Sequence, residues 1–573
     1  MGALVGRFVN VPTPATFRMS GLPRRWPDVT AILGITVVVA AISQRWAGLD
    51  TPDSSFYTTL AVFGQSVTDR AIDPSYFWAR LGQIAPTMAV THLFGVWIGF
   101  AVYRLVLLLA IVASAHLLFR RFTSVGRAAL LTAFIVTNTV VLSYLGNPYL
   151  TGSVLAGTSM LILLALSDRP PANIAAGFVL GWLLMVNPSG LIIAAIIWLT
   201  IRITRSRSTG AGRAGILLVI SAAMAAATFA AFVLFGRIAF PSLDWFETYR
   251  VALRMTLSDF ASKDPVWLHD VSLLVPLALV GTVTVAWATR RSSHIAQLGL
   301  TIAWSSIVGL AFVSWLMKGI ALEAPFYQAM IWPPLLIALG LATLAVTENR
   351  EWGWPTYAVG ALGLVGIVIA GHWPGALTFS SGLALTALLA ATALTGMIAT
   401  EQSRGAVWAV IGIAILLIGA QLLQNSRGPI GLYYLSPYHW AYSSNPISEK
   451  LHAAVNTEQW VLEHTRSDDR MLVWVGGDWA GGDRQLYVVG GMQLWGPNLL
   501  TLNSQITDTD LPRLRDLKPT VLELIAPSMD EIVTLWSSIP SVNRASPPEC
   551  YDFTWPVEPR VGHACLTRLS WVN

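Results

Sequence analysis

Two carboxylates stand beside the first long apolar segment of the chain. Asp50 and Asp53 lie in the stretch LDTPDSSFY at residues 49–57, together with three hydroxyl side chains and two aromatic rings. The stretch follows an apolar run at residues 29–46. A carboxylate at the mouth of a membrane helix can act as a general base and take the proton of a hydroxyl nucleophile. The alternative for Asp53 is a structural one, because Asp is a preferred N-cap residue and a short helix could begin here.

The composition indicates that a membrane holds these residues in place. Of the 573 residues, 54% are hydrophobic and only 12% are charged, against about 25% charged in soluble domains. The net charge of +5 does not indicate nucleic acid, because the Lys and Arg residues fall between apolar segments, where they set topology. We therefore predict a polytopic α-helical membrane protein with no nucleic-acid partner.

Apolar segments recur along the first three quarters of the chain. A hydrocarbon core of ~30 Å needs about 17–25 apolar residues per helix. By this rule the sequence predicts thirteen membrane helices, at 29–46, 94–118, 128–145, 151–167, 172–187, 189–203, 213–236, 271–289, 295–316, 325–346, 355–371, 376–398 and 406–424. The first segment ends at Arg45 and Trp46, without a small-residue cleavage site, so we expect a retained helix and not a signal peptide.

The distribution of basic residues predicts the orientation. With the N-terminus in the cytoplasm, every cytoplasmic loop carries at least one Arg, as the positive-inside rule requires. These residues are Arg24, Arg25, Arg120, Arg121, Arg127, Arg169, Arg202 to Arg213, Arg290, Arg291, Arg350 and Arg404. An odd number of helices then places residues 425–573 on the outer face. We predict two domains, a membrane domain at 1–424 and a soluble domain at 425–573.

The C-terminal stretch has the composition of a soluble α/β domain. Residues 446–466 are predicted to form an amphipathic helix, and residues 471–475 and 520–525 short buried strands. Cys550 and Cys565 are the only cysteines. In an oxidising compartment we expect them to form a disulfide, which would contribute about 3 kcal/mol in the chain-entropy model. Two reduced, buried thiols are the alternative.

The first outer loop, residues 47–92, resembles that of a known family. The stretch PDSSFY at 52–57 opens the loop, RLGQIAP follows at 80–86, and LFG at 93–95 leads into the second helix. This order is similar to the GT-C superfamily of glycosyltransferases that use polyprenyl-phosphate sugars, which includes protein mannosyltransferases and aminoarabinose transferases. The family often has two adjacent acids here, whereas Asp53 is followed by serine and the second acid is Asp50. The sequence leaves open which of the two is the base.

The resemblance implies a chemistry and a set of site residues. An acceptor hydroxyl of a cell-envelope glycan, glycolipid or protein would attack the sugar of the lipid donor, with inversion, at the outer face of a bacterial plasma membrane. Asp53 is the first candidate for the base and Asp50 the second. Cations would bind the phosphate, and Arg suits this because its planar fork matches phosphate oxygens. The candidates for this role are Arg254, Lys318, Arg250, Lys263 and Arg80.

The remaining candidates would contact the sugar or the acceptor. They are Glu323, Tyr327, Tyr57 and His269. For Glu323 and Tyr327 the alternative is anchoring at the membrane interface, where aromatic side chains are enriched. No cofactor is implied with certainty, and a divalent cation (Mg, Mn or Ca) stays open. The lipid-linked sugar, the envelope acceptor and the bilayer are the expected partners.

Arg104 is unusual because it lies inside the predicted second helix. A charge at that depth normally faces the bundle or a wet cavity, unless it reaches the interface along its own side chain. Two other functions remain as alternatives. A transporter or flippase for lipid-linked sugars would carry polar residues at mid-membrane depth in corresponding halves, and a non-catalytic assembly subunit would leave Asp50 and Asp53 facing solvent.

Overall fold

The computed structural model describes most of the predicted membrane domain and much of the C-terminal domain. The described residues are 25–42, 57, 60–64, 79–138, 141, 144–145, 150–209, 211–254, 271–317, 327, 329–347, 456–457, 459–466, 468–469, 471–475, 518–526, 528–538, 542–544, 547–555 and 560–571. The three helices predicted at 355–371, 376–398 and 406–424 lie outside them. So does the predicted domain boundary at residue 424.

The N-terminal part is helical throughout its described residues. Its helices are α1 (Arg25–Ile42), α2 (Leu81–Phe94), α3 (Val96–Arg120), α4 (Val125–Val136), α5 (Leu150–Ala165), α6 (Pro170–Val186), α7 (Pro188–Thr209), α8 (Ala211–Ala239), α9 (Trp245–Arg254), α10 (Val271–Thr289), α11 (His294–Leu316) and α12 (Trp332–Val346). Within the described residues, four helical stretches are long and apolar enough to cross a membrane: Ile98–Arg120, Pro188–Arg205, Gly212–Ala239 and His294–Leu316. Six more are apolar but shorter.

The helix positions follow the apolar runs of the sequence, and the differences have local causes. The last helix of this part was predicted from residue 325 but begins at Trp332. Pro333 and Pro334 occupy its first turn, where proline is favoured because its missing N–H has no partner there in any case. The short α9 was predicted as loop, since ten residues with a charged face give too little apolar length for a span.

Helices α2 and α3 form an antiparallel pair joined by a single residue. Gly95 connects them with φ of +79°, a backbone conformation that favours glycine because it lacks a Cβ. A Cβ added at Gly99 would lie 2.5 Å from the Cα of Thr91. The two backbones are therefore in direct contact, and α2 runs back along α3 into the bundle.

The helix ends fall into two groups. At one end, which we call the basic end, Arg120 closes α3 beside the start of α1, Arg121 reaches the end of α5 at Leu166, and Phe122 faces His294 at the start of α11. At the opposite end, which we call the site end, lie the first turns of α2, α5 and α7, the last turns of α6 and α8, and α9. The Arg residues predicted for the cytoplasmic side and described here gather at the basic end.

An ion pair fastens α1 to α3 at the basic end. The Oδ1 atom of Asp28 lies 2.9 Å from Nε2 of His116 and 2.6 Å from Nε of Arg120, which donates to it. Asp28 and His116 are buried. A carboxylate in the first turn is also well placed against the positive end of the α1 dipole. These contacts hold the first helix of the chain against the bundle.

The described part of the C-terminal domain is a mixed sheet with helices packed on it. Its strands are β1 (Met471–Val475), β2 (Val521–Ala526), β3 (Val542–Arg544), β4 (Glu549–Trp555) and β5 (Arg560–Trp571). The helix α13 (Met529–Ser538) packs against β2. The order is β1-β2-β5-β3, and β4 also pairs with β5. Among the described strands, only β1 and β2 pair in parallel. The predicted strands at 471–475 and 520–525 are confirmed.

The disulfide predicted between the two cysteines is present. Cys550 on β4 and Cys565 on β5 stand directly opposite each other in the antiparallel ladder. The bond closes the β4–β5 hairpin. On the same strands, Trp460 from the helical segment at 459–464 stacks on Tyr551, with ring centroids 5.7 Å apart.

Glu523 occupies the middle of this sheet. It lies between Val473 and Leu566 on the neighbouring strands and is completely buried. Neither of its carboxyl oxygens has a hydrogen-bond partner within the described residues. Burial raises the pKa of Glu523 to about 8, since a charged carboxylate loses its hydration in an apolar layer. The folded domain therefore holds this carboxyl protonated at neutral pH.

This buried acid predicts a pH-dependent stability. In the unfolded chain Glu523 releases its proton near its ordinary pKa of 4.5, whereas the folded domain keeps it up to about pH 8. The unfolding free energy of this domain should fall by about 1.4 kcal/mol per pH unit as the pH rises between these values. In Glu523→Gln the slope should vanish, as measured by denaturant unfolding of the full chain. Glu549→Gln, an exposed carboxylate on β4, is the control and should keep the slope; equal slopes in the two variants would refute the assignment.

Candidate active site

The sequence candidates divide into those that the structure describes and those that it does not. Asp50, Asp53, Lys263, His269, Lys318 and Glu323 lie outside the described residues. Their roles remain predictions. Arg80, Tyr57, Arg250, Arg254 and Tyr327 are described. Arg80 lies at the start of α2, Arg250 and Arg254 lie on α9, Tyr57 is buried in the core, and Tyr327 is half-buried just before α12.

Arg80 lies at the N-terminal end of α2 and is buried, with 8% of its surface exposed. Its carbonyl oxygen accepts the N–H groups of Gln83 and Ile84 and so closes the first turn of the helix. A guanidinium is rarely buried unless it is paired. Among the described cationic candidates for phosphate binding, Arg80 is the buried one, because Arg250 and Arg254 are exposed.

A close contact between α2 and α6 fixes the position of Arg80. A Cβ added at Gly82 would lie 2.8 Å from the carbonyl oxygen of Trp182 and from the backbone carbon of Met185. The Nε1 atom of Trp182 donates to the Gly82 carbonyl at 2.8 Å. Only glycine permits this approach, because any larger residue would separate the helices. The turn that carries Arg80 is thereby held on the last turn of α6.

Three buried polar side chains form a hydrogen-bonded triangle one turn further along. The hydroxyl of Tyr103 on α3 donates to Oε1 of Gln83 on α2 at 3.1 Å, and the hydroxyl of Ser153 on α5 donates to the same oxygen at 2.6 Å. The two hydroxyls are 2.8 Å apart. The triangle ties three helices together at the site end. Sequence analysis missed it, although Gln83 and Ser153 interrupt apolar segments, which is the signal that could have revealed it.

Arg104 follows Tyr103 on α3 and is only 3% exposed. The sequence left two orientations open for Arg104, toward the bundle or along its own side chain to the membrane interface. The side chain is buried inside the bundle. Together with Arg80 it brings a second guanidinium to the buried part of the site end. Thr87 and Thr91 on α2 are buried as well, and their hydroxyls donate to backbone carbonyls. This region is the most polar part of the bundle interior that we find on α2 and α3.

The short helix α9 covers the start of α2. Trp245, Thr248 and Ala252 form its buried face, and the hydroxyl of Tyr249 donates to the sulfur of Met185 on α6 at 3.3 Å. Burial raises the pKa of the Tyr249 hydroxyl, and the positive charge of Arg80 partly offsets this rise. The Arg80 guanidinium therefore lies near α9. The opposite face of α9 is exposed and carries Arg250.

The two other candidates on α9 have different surroundings. Arg250 is 69% exposed in its side chain and donates to Oε1 of Glu247 at 2.7 Å, one turn earlier. Arg254 ends the helix and is exposed. Tyr57 is buried in the core, whereas Tyr327 is half-buried before α12. Arg80 and α9 thus lie together at the site end. Among the contacts of the described residues, none joins Tyr327 to them.

The described residues also bear on metal binding. Within them, no group of three or more His, Cys, Asp or Glu side chains could hold a metal ion. Asp50, Asp53, His269 and Glu323 lie outside the described residues. The described charged side chains of the site include Arg80, Arg104, Arg250 and Arg254, together with Glu247, which pairs with Arg250.

The fold is that of known structures, although the sequence is not close to any of them. No protein-family model matches the chain, and no curated protein matches it by sequence. The crystal structure of ArnT from Cupriavidus metallidurans bound to undecaprenyl phosphate matches with a TM-score of 0.52 at 14% identity, over 95% of this chain and 98% of that one. Its apo structure matches with a TM-score of 0.53. The chain therefore shares the fold of these two ArnT structures. The predicted fold class is confirmed, and with it the membrane location.

Two more distant structures also match. The arabinosyltransferase EmbB from Mycobacterium smegmatis aligns with a TM-score of 0.42 at 15% identity, over 74% of this chain and 43% of that one. The Archaeoglobus fulgidus oligosaccharyltransferase tethered with an acceptor peptide aligns with a TM-score of 0.40 at 12% identity, over 87% and 69%. Likenesses at this level are too remote to bear on the site.

The triangle of Gln83, Tyr103 and Ser153 gives a testable prediction. Gln83→Leu removes the oxygen that both hydroxyls share and should lower the free energy of unfolding by about 1 kcal/mol, the typical size of such bonds between membrane helices. A lower thermal midpoint of the purified protein would report this loss. Thr87→Val is the matched control, because the Thr87 hydroxyl bonds only within its own helix. If the two variants melt together, the triangle contributes nothing.

Proposed function

We propose that this protein is a glycosyltransferase that takes a sugar from a polyprenyl-phosphate donor. One observation carries the proposal: nearly the whole length of the chain follows the fold of ArnT, whose structure holds undecaprenyl phosphate. The buried Arg80 at the site end supports it, since a buried cation at a membrane surface suits a lipid phosphate. The acceptor is a hydroxyl of a cell-envelope glycan, glycolipid or protein.

The phosphate would lie between α2 and α9. Arg80 would donate to its oxygens from the buried side and Arg254 from the C-terminal end of α9, whereas Arg250, on the outer face of α9, would reach them only by leaving its pair with Glu247. Lys263 and Lys318 complete the set of predicted cations. Arg is suited to this role because its fork offers two parallel donors to a phosphate. In a low-dielectric site, such fixed charges stabilise the negative charge that grows on the leaving group.

The reaction is a displacement at the anomeric carbon. The acceptor oxygen forms a bond to that carbon as the bond to the phosphate oxygen breaks, and the electron pair leaves with the polyprenyl phosphate. The hydroxyl proton passes to Asp53, or to Asp50 if that is the base. Attack opposite the leaving group inverts the configuration. Glu323, Tyr327, Tyr57 and His269 are the residues that we assign to the sugar and the acceptor, and a divalent cation stays open.

The topology proposal follows from the arrangement of charges. The basic end faces the cytoplasm and the site end the outside of a bacterial plasma membrane, as the positive-inside rule requires. The domain at 425–573 then stands on the outer face beside the site end. The disulfide between Cys550 and Cys565 supports this side, because such bonds persist in oxidising compartments. A domain in this position can help to bind a large acceptor.

The general base can be tested by removing one carboxylate at a time. Asp53→Asn should reduce transfer from a polyprenyl-phosphate sugar by about 10²–10⁴-fold, the usual contribution of acid–base catalysis, while the thermal midpoint stays unchanged. Asp50→Asn should have a smaller effect if Asp53 is the base. Full transfer activity in both variants would show that neither acid is the general base. Movement of the donor across the bilayer without sugar transfer would favour a flippase.

The role of Arg80 gives a second test. Arg80→Gln should weaken binding of the polyprenyl-phosphate product and lower kcat/KM by about 10²-fold or more. Arg80→Lys should recover part of this loss, because the charge remains but the fork does not. Binding measured by native mass spectrometry separates the phosphate contact from the catalytic step. Arg291→Gln at the basic end is the control; an equal loss there would show that only the overall charge matters.

A further inference from the structure

The basic end carries a second cationic site that the transfer reaction does not use. Four arginines, one at the end of α3, two near the end of α7 and one in the turn that joins α5 to α6, gather around that turn. They are Arg121, Arg169, Arg202 and Arg205, and the turn supplies a single carboxylate, Asp168. We propose that this cluster binds the phosphate headgroup of an anionic membrane lipid.

Two of the guanidinium groups share one carboxylate, and a third reaches a backbone carbonyl two residues before it. Arg202 donates through Nη1 to Oδ1 of Asp168 at 2.8 Å, and Arg205 donates to Oδ2 of the same carboxylate at 3.3 Å. Arg121, from the end of α3, donates to the carbonyl of Leu166 at 2.8 Å. Burial and then the positive charges of Arg205 and Arg169 lower the pKa of Arg121. Within the described residues, Asp168 is the carboxylate that pairs with these arginines, and its single charge offsets part of theirs.

Setting the topology does not require this arrangement. The positive-inside rule asks only that a cytoplasmic loop be basic, and separate arginines in separate loops would satisfy it. Here residues distant in sequence approach each other closely enough to repel. An anionic ligand would relieve that repulsion. The start of α6 supplies no spare N–H for such a ligand, because Pro170 and Pro171 have none and the next two N–H groups bond to the Arg169 carbonyl, so the arginines are the donors.

The surface beneath the cluster indicates a lipid instead of a free anion. Apolar side chains on the same three helices are exposed within about two turns of the arginines. These are Leu117 on α3, Ile174 and Phe178 on α6, and Leu199 and Ile203 on α7. A phosphate headgroup on the arginines would place its acyl chains along them. Basic pockets between membrane helices on the cytoplasmic side suit anionic lipid headgroups in this way.

The proposal is tested by titrating the full-length protein in neutral detergent with phosphatidylglycerol or phosphatidylcholine. Native mass spectrometry should show saturable binding of phosphatidylglycerol and none of comparable strength for phosphatidylcholine. Arg121→Gln/Arg169→Gln should weaken phosphatidylglycerol binding by about tenfold or more, since bonds to charged groups are among the stronger ones. Arg169 is exposed and Arg121 is only partly enclosed by its neighbours, so the protein should fold. The thermal midpoint in lipid-free detergent checks this.

Two further variants sharpen the result. Arg121→Lys/Arg169→Lys keeps the charge and should retain part of the affinity. Arg291→Gln removes a charge from the same end, where Arg291 lies over the Trp287 ring, and should leave lipid binding unchanged. Equal binding of the two lipids, or an unchanged affinity in the Gln double variant, would overturn the proposal. So would competition by inorganic phosphate as effective as that of the lipid at matched ionic strength, which would assign the cluster to a free anion.

Discussion

The backbone contact between α2 and α6 at Gly82 is the constraint on which the site end depends. In a bilayer, helices gain little from burying apolar surface against each other, so close packing and hydrogen bonds must hold them together. Gly82 provides both, because its missing side chain admits the α6 backbone and its carbonyl accepts the Trp182 ring N–H. The same device recurs where Gly177 and Gly181 on α6 meet the backbone of α8. Arg80 owes its burial to this packing.

The two ends of the bundle use their polar residues differently. At the site end, neutral side chains satisfy one another, and the guanidinium groups of Arg80 and Arg104 are enclosed by helices. At the basic end, the described arginines around Asp168 outnumber the described carboxylates there, and they range from the buried Arg202 to the exposed Arg169. The first arrangement suits a bound anion whose charge changes during a reaction. The second suits a permanent anion that stays in place.

The architecture could be predicted from the sequence because each helix or strand is indicated by many residues together. Long apolar runs gave the positions of the helices, and short apolar runs between turns gave the positions of β1 and β2. The presence of two cysteines close in sequence predicted the disulfide bond. Short elements were not predicted, for physical reasons. The helix α9 has so few residues that its apolar periodicity cannot be distinguished from the pattern of a charged loop. The triangle of Gln83, Tyr103 and Ser153 joins residues up to 70 positions apart, and no local pattern encodes such a contact. Asp53 owes its assignment to family resemblance and not to geometry, since it lies outside the described residues.

The contact between Asp28 and α3 also sets an order of assembly. Its partners His116 and Arg120 come 88 and 92 residues later in the chain. At about 5–20 residues per second of synthesis, roughly 4 to 18 s pass before they exist. During that time the first helix has no fixed neighbour from α3, and its carboxylate must remain hydrated. The ion pair forms only after α3 has been made, so it reports that the first helices have come together during biogenesis.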